Sequence, residues 1–214
     1  MHKGASPGSF PLQPSHETGC ILLGIVLEGG LLVPPPIRVP MHFWSTVLAV
    51  AAAAAIAILA AFFIAGPERI WALFGPADLG PVNFETLKRR TSPNDSLACP
   101  QNICIAKSDL ASPVFAVSAP ELQKAFAKVI ASEPSVEQVA SDDSGFTRRY
   151  VQRTKIMRFP DTIVVRFIDL GDGRSTIALY SRSQLGESDS GVNHARIERW
   201  LSKLSKEAPA VKTA

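Results

Sequence analysis

The stretch TIVVRFIDLGDGRSTIALYSRS, residues 162–183, decides the fold, because two apolar runs flank a short turn sequence within it. Residues 162–170 and 175–183 are rich in Val, Ile, Phe, Thr and Tyr, a composition typical of β-strands. The sequence between them, Gly-Asp-Gly-Arg, has the residues that a tight hairpin turn requires. The segment predicts an antiparallel pair, and residues 136–140 and 147–156 predict two further strands.

Helical patterns lie on both sides of these strands. Residues 118–121, Ser-Ala-Pro-Glu, form a capping-box sequence, and apolar residues behind it recur on one helix face until Pro134. A closing helix is predicted over residues 192–206, with its own apolar face formed by Ile197, Trp200, Leu201 and Leu204. The order indicates an α+β fold, with an antiparallel sheet of about four strands packed on one face by two helices in a two-layer domain.

Residues 43–65 read FWSTVLAVAAAAAIAILAAFFIA and contain no charge. As a helix rising about 1.5 Å per residue they span roughly 34 Å, enough to cross a hydrocarbon core of about 30 Å. A cleaved signal peptide normally has a shorter apolar core, and a buried helix of a soluble protein seldom lacks charge over such a length. We therefore expect a single uncleaved transmembrane helix.

The remaining chain divides by composition around this helix. We expect residues 1–42 to be either a disordered extension or the result of a mis-assigned start, with Met41 as the true first residue. Glycine–proline pairs indicate a linker over residues 66–87, the α+β domain follows at 88–207, and 208–214 form a tail.

Cysteine spacing bears on location and on metal binding. Cys99 and Cys104 are close enough for a small disulfide loop in an oxidising compartment, and two free thiols are the alternative. Their spacing does not suit a zinc site, and no cofactor motif is present, so we expect neither metal nor cofactor. We expect a single-pass membrane protein with the C-terminal domain outside the cytoplasm.

Residues 180–200, YSRSQLGESDSGVNHARIERW, place a polar cluster between the last strand and the last helix. One interpretation is an anion site at the helix N-terminus, formed by Arg182, Ser183, Asp189, Asn193 and Arg196. The other is structural: Asp189 caps the helix, and an arginine neutralises it. His194 is the single histidine of the domain, and no nucleophile motif accompanies it, so we predict no catalytic residues.

The segment RSQLGESDSGVNHARIERW resembles the end of the domain of unknown function 1499 family, which is found in bacteria and plastids. Ser92-Pro93-Asn94 matches a second motif of that family near the domain start. The resemblance covers roughly residues 88–206. Because the family has no established activity, the resemblance implies a domain boundary and a membrane association rather than a reaction. Because the family is found in bacteria, the resemblance also leads us to expect the bacterial inner membrane.

Alternation along the strands places Arg166 and Arg182 on the sheet face away from the helices. Such a face is either solvated or attracted to anionic lipid headgroups. We therefore predict a non-catalytic binding or assembly module whose partners are the bilayer, its anionic headgroups or a membrane protein, and not nucleic acid. The alternative is an enzyme or receptor domain that acts on an anionic, phosphate- or lipid-derived ligand between Arg182 and Arg196.

Overall fold

The computed structural model describes residues 40–211, so most of the expected N-terminal extension and the last three residues lie outside the described part. The described chain begins with two helices and a 3-10 turn, and the strands and two further helices follow. Their bounds are α1 Met41–Ala65, α2 Pro67–Trp71, a 3-10 turn Ala72–Phe74, β1 Asp95–Ala98, β2 Val114–Phe115, α3 Ala119–Ala131, β3 Val136–Ser141, β4 Thr147–Arg153, β5 Pro160–Gly171, β6 Arg174–Ser183 and α4 Val192–Glu207.

The sheet is antiparallel with the strand order β1-β6-β5-β4-β3, and β2 also pairs with β6. The predicted α+β class is confirmed. The described sheet has six strands rather than the expected four or so, because β1 and β2 add to the free side of β6. They cover only four and two residues, too few to show an alternating pattern.

Helices α3 and α4 pack on the same face of the sheet, as the single apolar stripe on each predicted. Leu122 and Phe126 of α3 join Trp200 of α4 and Ile163 and Ile177 of the sheet in one buried cluster. The Phe126 ring lies 5.8 Å from the Trp200 ring in an edge-to-face contact. This face is a conventional hydrophobic core.

The opposite face is covered by chain that has little regular structure. Phe84 lies in a second buried cluster with Val164 and Tyr180 of the sheet. Residues 66–87, which the sequence predicts to be a linker, thus contribute a core residue. Arg166 and Arg182 do lie on this face, as alternation predicted. The covering chain contacts both: Glu85 accepts from Arg166, which is still partly exposed, and the Leu79 carbonyl accepts from Arg182.

Helix α1 carries no buried residue along its length. Within the described residues it is the one helix long and apolar enough to cross a membrane. Only Gly66, with a φ of 88°, separates it from α2, and this left-handed conformation suits glycine. An exposed helix of this composition is consistent with a membrane anchor and also with a signal sequence.

Candidate functional site at the junction of β6 and α4

A buried polar network joins the last strand to the last helix. Arg196 of α4 is central to it: its Nη2 lies 2.5 Å from Asp161 Oδ2, and both side chains are about 95% buried. Arg196 also donates from Nε to Gln152 Oε1 at 2.5 Å and from Nη1 to Ser181 Oγ at 2.8 Å. The guanidinium is therefore engaged on all sides by groups of the protein itself.

Asn193 extends the network to a third part of the chain. Its Oδ1 accepts a hydrogen bond from Ser181 Oγ at 2.6 Å. Its Nδ2 donates to Ser183 Oγ at 3.0 Å and to the carbonyl of Asn94 at 3.1 Å. A buried amide with its donors and acceptor satisfied holds β6, α4 and the chain before β1 in one arrangement.

Asp189 occupies the N-terminus of α4. Its Oδ1 accepts from the backbone N–H of Gly191 at 3.0 Å, and its Oδ2 accepts from that of Asn193 at 2.7 Å. A carboxylate in this position satisfies helix N–H groups and complements the helix dipole. The amides that the anion interpretation assigned to a ligand are thus already bonded to the protein.

Arg182 lies apart from the other four residues of the predicted site. Because side chains alternate along a strand, its neighbours Ser181 and Ser183 face α4 and Arg182 faces the opposite side of the sheet. There its Nη2 donates to the carbonyls of Leu79 at 2.7 Å and Gly80 at 2.8 Å. Burial lowers the pKa of Arg182 from its ordinary value. The structure thus brings together Ser183, Asp189, Asn193 and Arg196, without Arg182.

The Ser-Pro-Asn motif meets this junction, although about ninety residues separate the two in sequence. Asn94 Nδ2 donates to the carbonyl of Gly186 at 2.5 Å, and the Asn94 carbonyl accepts from the Ser183 N–H at 3.0 Å. Arg90 Nη1 donates to the Ser183 carbonyl at 2.7 Å. Both motifs on which the family resemblance rests therefore form one structural unit.

Asp161 and Gln152 are members of this network that the sequence interpretation missed. A signal for them existed: Arg196 lies next to Ile197 in the apolar stripe of α4, and a buried arginine needs an acidic partner. The choice of Asp161 depends on strand register, which sets it opposite Ser183. The local sequence pattern does not show which residues lie opposite each other on neighbouring strands.

Two clefts adjoin the loop that connects β6 to α4. The apolar cleft, of about 530 Å³, is lined mainly by apolar surface: Trp71, Phe74, Phe159, Pro160, Leu185 and Val192, with Ser183, Ser188 and Asp189 among its polar residues. The polar cleft, of about 500 Å³, is lined by residues that include Arg89, Arg90, Asp95, Ser96, Asp109 and His194. Asp189 and Ser188 contribute to both clefts, so the loop forms a wall between them.

Most charges of the polar cleft are paired. Arg89 lies 2.7 Å from Asp95 and 2.9 Å from Asp109, and the Tyr180 hydroxyl donates to Asp95 at 2.5 Å. Burial opposes ionisation of Asp95, but the hydrogen bonds from Arg89 and Tyr180 outweigh it and lower the pKa of Asp95. Arg90 differs, since its side chain donates only to the neutral acceptors Asn94 Oδ1 and the Ser183 carbonyl among the described residues.

Ser96, Asp109 and His194 contain the residue types of a catalytic triad but not its arrangement. Ser96 Oγ lies 3.2 Å from Asp109 Oδ2 and 3.5 Å from His194 Nδ1. The serine thus stands between acid and base, whereas a triad requires the histidine in that place. Between residues 40 and 211 no group of three His, Cys, Asp or Glu residues is suited to a metal ion.

Cys99 and Cys104 form a disulfide in the structure. Cys99 is 2% exposed and lies in the second hydrophobic cluster with Leu97 and Tyr180. Of the two alternatives that the spacing left open, the structure contains the bonded pair. It closes a loop of the chain that covers the sheet face opposite α3 and α4, which we call the second face.

A comparison with protein families matches residues 89–204 to a family described as a protein of unknown function, DUF1499. No curated protein was found to match the chain. The matched range begins at Arg89 of the polar cleft and ends at Leu204 in the apolar stripe of α4, so it contains the whole junction and more than half of the sequence. The chain belongs to the DUF1499 family.

Proposed function

We propose that the protein is a membrane-anchored, non-catalytic binding module that works at the membrane surface. The observation that carries this proposal is α1, an uncharged helix of 25 residues that buries none of them and continues through Gly66 into the domain. An apolar surface of this extent is stable in a hydrocarbon environment and costly in water. In this proposal the chain crosses the membrane once.

The partners of the buried and partly buried carboxylates support the proposal that the module is non-catalytic. Asp161 is bound by Arg196, Asp189 by helix N–H groups, and Asp95 by Arg89 and Tyr180. A general acid or base must be free to exchange a proton with a substrate, and these carboxylates are engaged by partners within the protein. Their arrangement favours structural roles.

The short segment after α1 supports a location at the interface. Leu73 and Phe74 are 83% and 66% exposed, and Arg69 is exposed in the same segment. Exposed apolar and aromatic residues next to a basic residue are typical of chain that lies at the headgroup level. We infer that this segment contacts the membrane surface.

We propose the inner membrane of a bacterium, with the domain outside the cytoplasm. The Cys99–Cys104 disulfide supports this side of the membrane, because such bonds persist in oxidising compartments and are rare in the cytosol. Protease added to spheroplasts should then degrade the domain without lysis. Protection until the cells are lysed would place the domain in the cytoplasm.

Alkaline carbonate extraction tests the anchor itself. The full chain should remain in the membrane pellet, and a variant lacking residues 43–65 should be released. The intact mass of the purified protein separates an anchor from a signal sequence, since a retained anchor keeps residues 43–65. A soluble protein that begins after Ala65 would refute the proposal.

A second candidate function is the binding of a phosphate-containing anion in the polar cleft, and Arg90 is the residue that favours it. Its guanidinium has no carboxylate partner within the described chain, and an arginine fork matches phosphate geometry. Calorimetry with glycerol phosphate should show binding that weakens about tenfold in Arg90→Gln, the loss expected for one charged hydrogen bond. Lys88→Gln, an exposed neighbour, is the control, and equal weakening in both variants would exclude a specific site.

A further inference from the structure

We propose that the apolar cleft holds an acyl chain of a membrane phospholipid. The inference rests on the proposed function, since it takes the anchored domain as given and names what the module binds. The cleft volume of about 530 Å³ falls in the range of small-molecule sites, roughly 300–1,000 Å³. Its lining is mostly apolar, which suits a hydrocarbon chain.

The walls of the cleft come from three parts of the chain. Trp71 and Phe74 belong to the segment that follows α1, Phe159 and Pro160 stand at the start of β5, and Leu185 lies in the loop after β6. The Trp71 ring packs 4.6 Å from that of Phe159. The segment nearest the anchor in sequence is therefore also one wall of the cleft.

An aromatic path connects the anchor to the cleft. Phe62, in the last turn of α1, lies 5.8 Å from Trp71, and Trp71 in turn contacts Phe159 inside the cleft. The indole N–H of Trp71 donates to the carbonyl of Met157 at 2.5 Å, so the polar atom of the ring is satisfied by the protein. These ring contacts thus link the last turn of α1 directly to the lining of the cleft.

The acidic residues in the lining determine which end of a lipid can enter. Asp161 and Asp189 both line the cleft, and both are already neutralised by Arg196 or by helix N–H groups. A neutral hydrocarbon chain therefore meets no unpaired charge, whereas the carboxylate of a free fatty acid would meet two other carboxylates. The chain of an esterified lipid, with its headgroup left outside, fits this lining best.

Photolabelling in vesicles tests the assignment with the full chain. The protein is reconstituted in phosphatidylcholine vesicles that contain a phosphatidylcholine with a photoreactive group near the end of one acyl chain, and labelled peptides are mapped. We expect labels in residues 154–160 and 183–192 in addition to the anchor, residues 41–65. Labels confined to residues 41–74 would overturn the inference and leave the anchor intact. A chain that does not stay with the vesicles would overturn the proposed function as well.

Two variants and one control make the test specific. Leu185→Trp fills the cleft and should lower labelling of residues 154–160 about tenfold relative to the anchor, because excluding even two methylene groups has that effect. Val192→Glu places a charge at the cleft in the first helical turn, a position that suits an acidic residue, and should act the same way without unfolding the domain. Ile105→Trp, at an 85% exposed site on the disulfide loop, should leave labelling unchanged.

Competition identifies the occupant. The vesicles already contain unlabelled phosphatidylcholine in excess, so free oleate is the informative competitor, and it should leave labelling of residues 154–160 unchanged relative to the anchor. A loss of that labelling on addition of oleate would overturn the inference in favour of a free fatty acid. Labelling that Leu185→Trp and Val192→Glu both leave unchanged would also overturn it.

Discussion

On one face of the sheet, α3 and α4 pack apolar stripes against Ile163, Ile177 and the other inward residues of the strands. On the other face, irregular chain covers Val164 and Tyr180, and it is fastened by ion pairs and by hydrogen bonds to backbone carbonyls. The first face is held by a large buried cluster and one fully desolvated polar network, the second by a smaller buried cluster, a disulfide and partly exposed charges. The two faces should therefore respond differently to mutation, pH and salt.

The largest effect should come from the buried ion pair on the helix-covered face. Arg196→Ala leaves Asp161 buried without its partner, and we expect a loss of about 3–5 kcal/mol in the free energy of unfolding. Urea denaturation of the full chain in detergent measures it. Lys206→Ala, exposed on the same helix, should stay within about 0.5 kcal/mol of the wild type. A loss in Arg196→Ala no larger than in this control would show that the network does not hold the junction.

Glu133 follows α3 and forms ion pairs with two residues of α4, so the stability of the helix-covered face depends on its ionisation. Its side chain is 1% exposed and lies 2.9 Å from Arg199 and 2.6 Å from Lys203. Burial alone would raise the pKa of Glu133, but these hydrogen bonds outweigh it and lower the pKa from 4.5 to about 2. We expect Glu133→Gln to cost about 2–3 kcal/mol at neutral pH.

The sign of the pH dependence follows from that lowered pKa. A carboxylate with a depressed folded-state pKa contributes its full stability above pH 4.5 and loses it as the pH falls towards 2. The difference in unfolding free energy between wild type and Glu133→Gln should therefore shrink over this interval. A difference that stays constant from neutral pH to pH 2 would contradict the assignment.

Removing the disulfide measures how much it stabilises the chain on the second face. Cys99 and Cys104 close a short loop, and replacing both by serine should cost about 2 kcal/mol from the entropy of the unfolded chain. Thermal unfolding with and without reductant measures it, since reductant should destabilise the wild type and leave the double variant unaffected. Equal responses of the two proteins to reductant would show that the loop contributes nothing.

The smallest effect should come from the ion pair between Asp78 and Arg149, which lie 2.9 Å apart on the second face and are each about one-quarter exposed. Burial opposes ionisation of Asp78, and the hydrogen bond from Arg149 outweighs it, so the pKa of Asp78 is lowered. Asp78→Asn should cost about 1 kcal/mol in low salt and less in high salt. Asp143→Asn, at an exposed site, is the matched control. A salt-independent loss would contradict an electrostatic contribution from this pair.

The same contrast explains what could be predicted from the sequence. Strands β3–β6 and helices α3 and α4 are long enough to show alternation or a helical stripe, so their patterns predicted them. Strands β1 and β2 are too short for a pattern, and the chain over the second face has none. Phe84 is 1% exposed, yet a lone aromatic that follows the last of three glycine–proline pairs gives no sign that it belongs to a core.

The candidate site divides in the same way. The capping role of Asp189 was predictable because it involves the residues that immediately follow. The partners of Arg196 were not, since Asp161 and Gln152 are 35 and 44 residues away and reach it through strand register. Arg182 was grouped with the anion site by sequence proximity alone, and strand alternation separates it from the other members.

The single residue between α1 and α2 has a consequence for encounter rates. A module on a long flexible linker explores a hemisphere above its anchor, and its effective concentration near the surface falls as the linker lengthens. With Gly66 alone as the spacer, the segment that carries Trp71 stays within a few residues of α1. Anchored as proposed, such a domain would search for a ligand in two dimensions, so a ligand in the same membrane would meet it far more often than one dissolved in the surrounding solution.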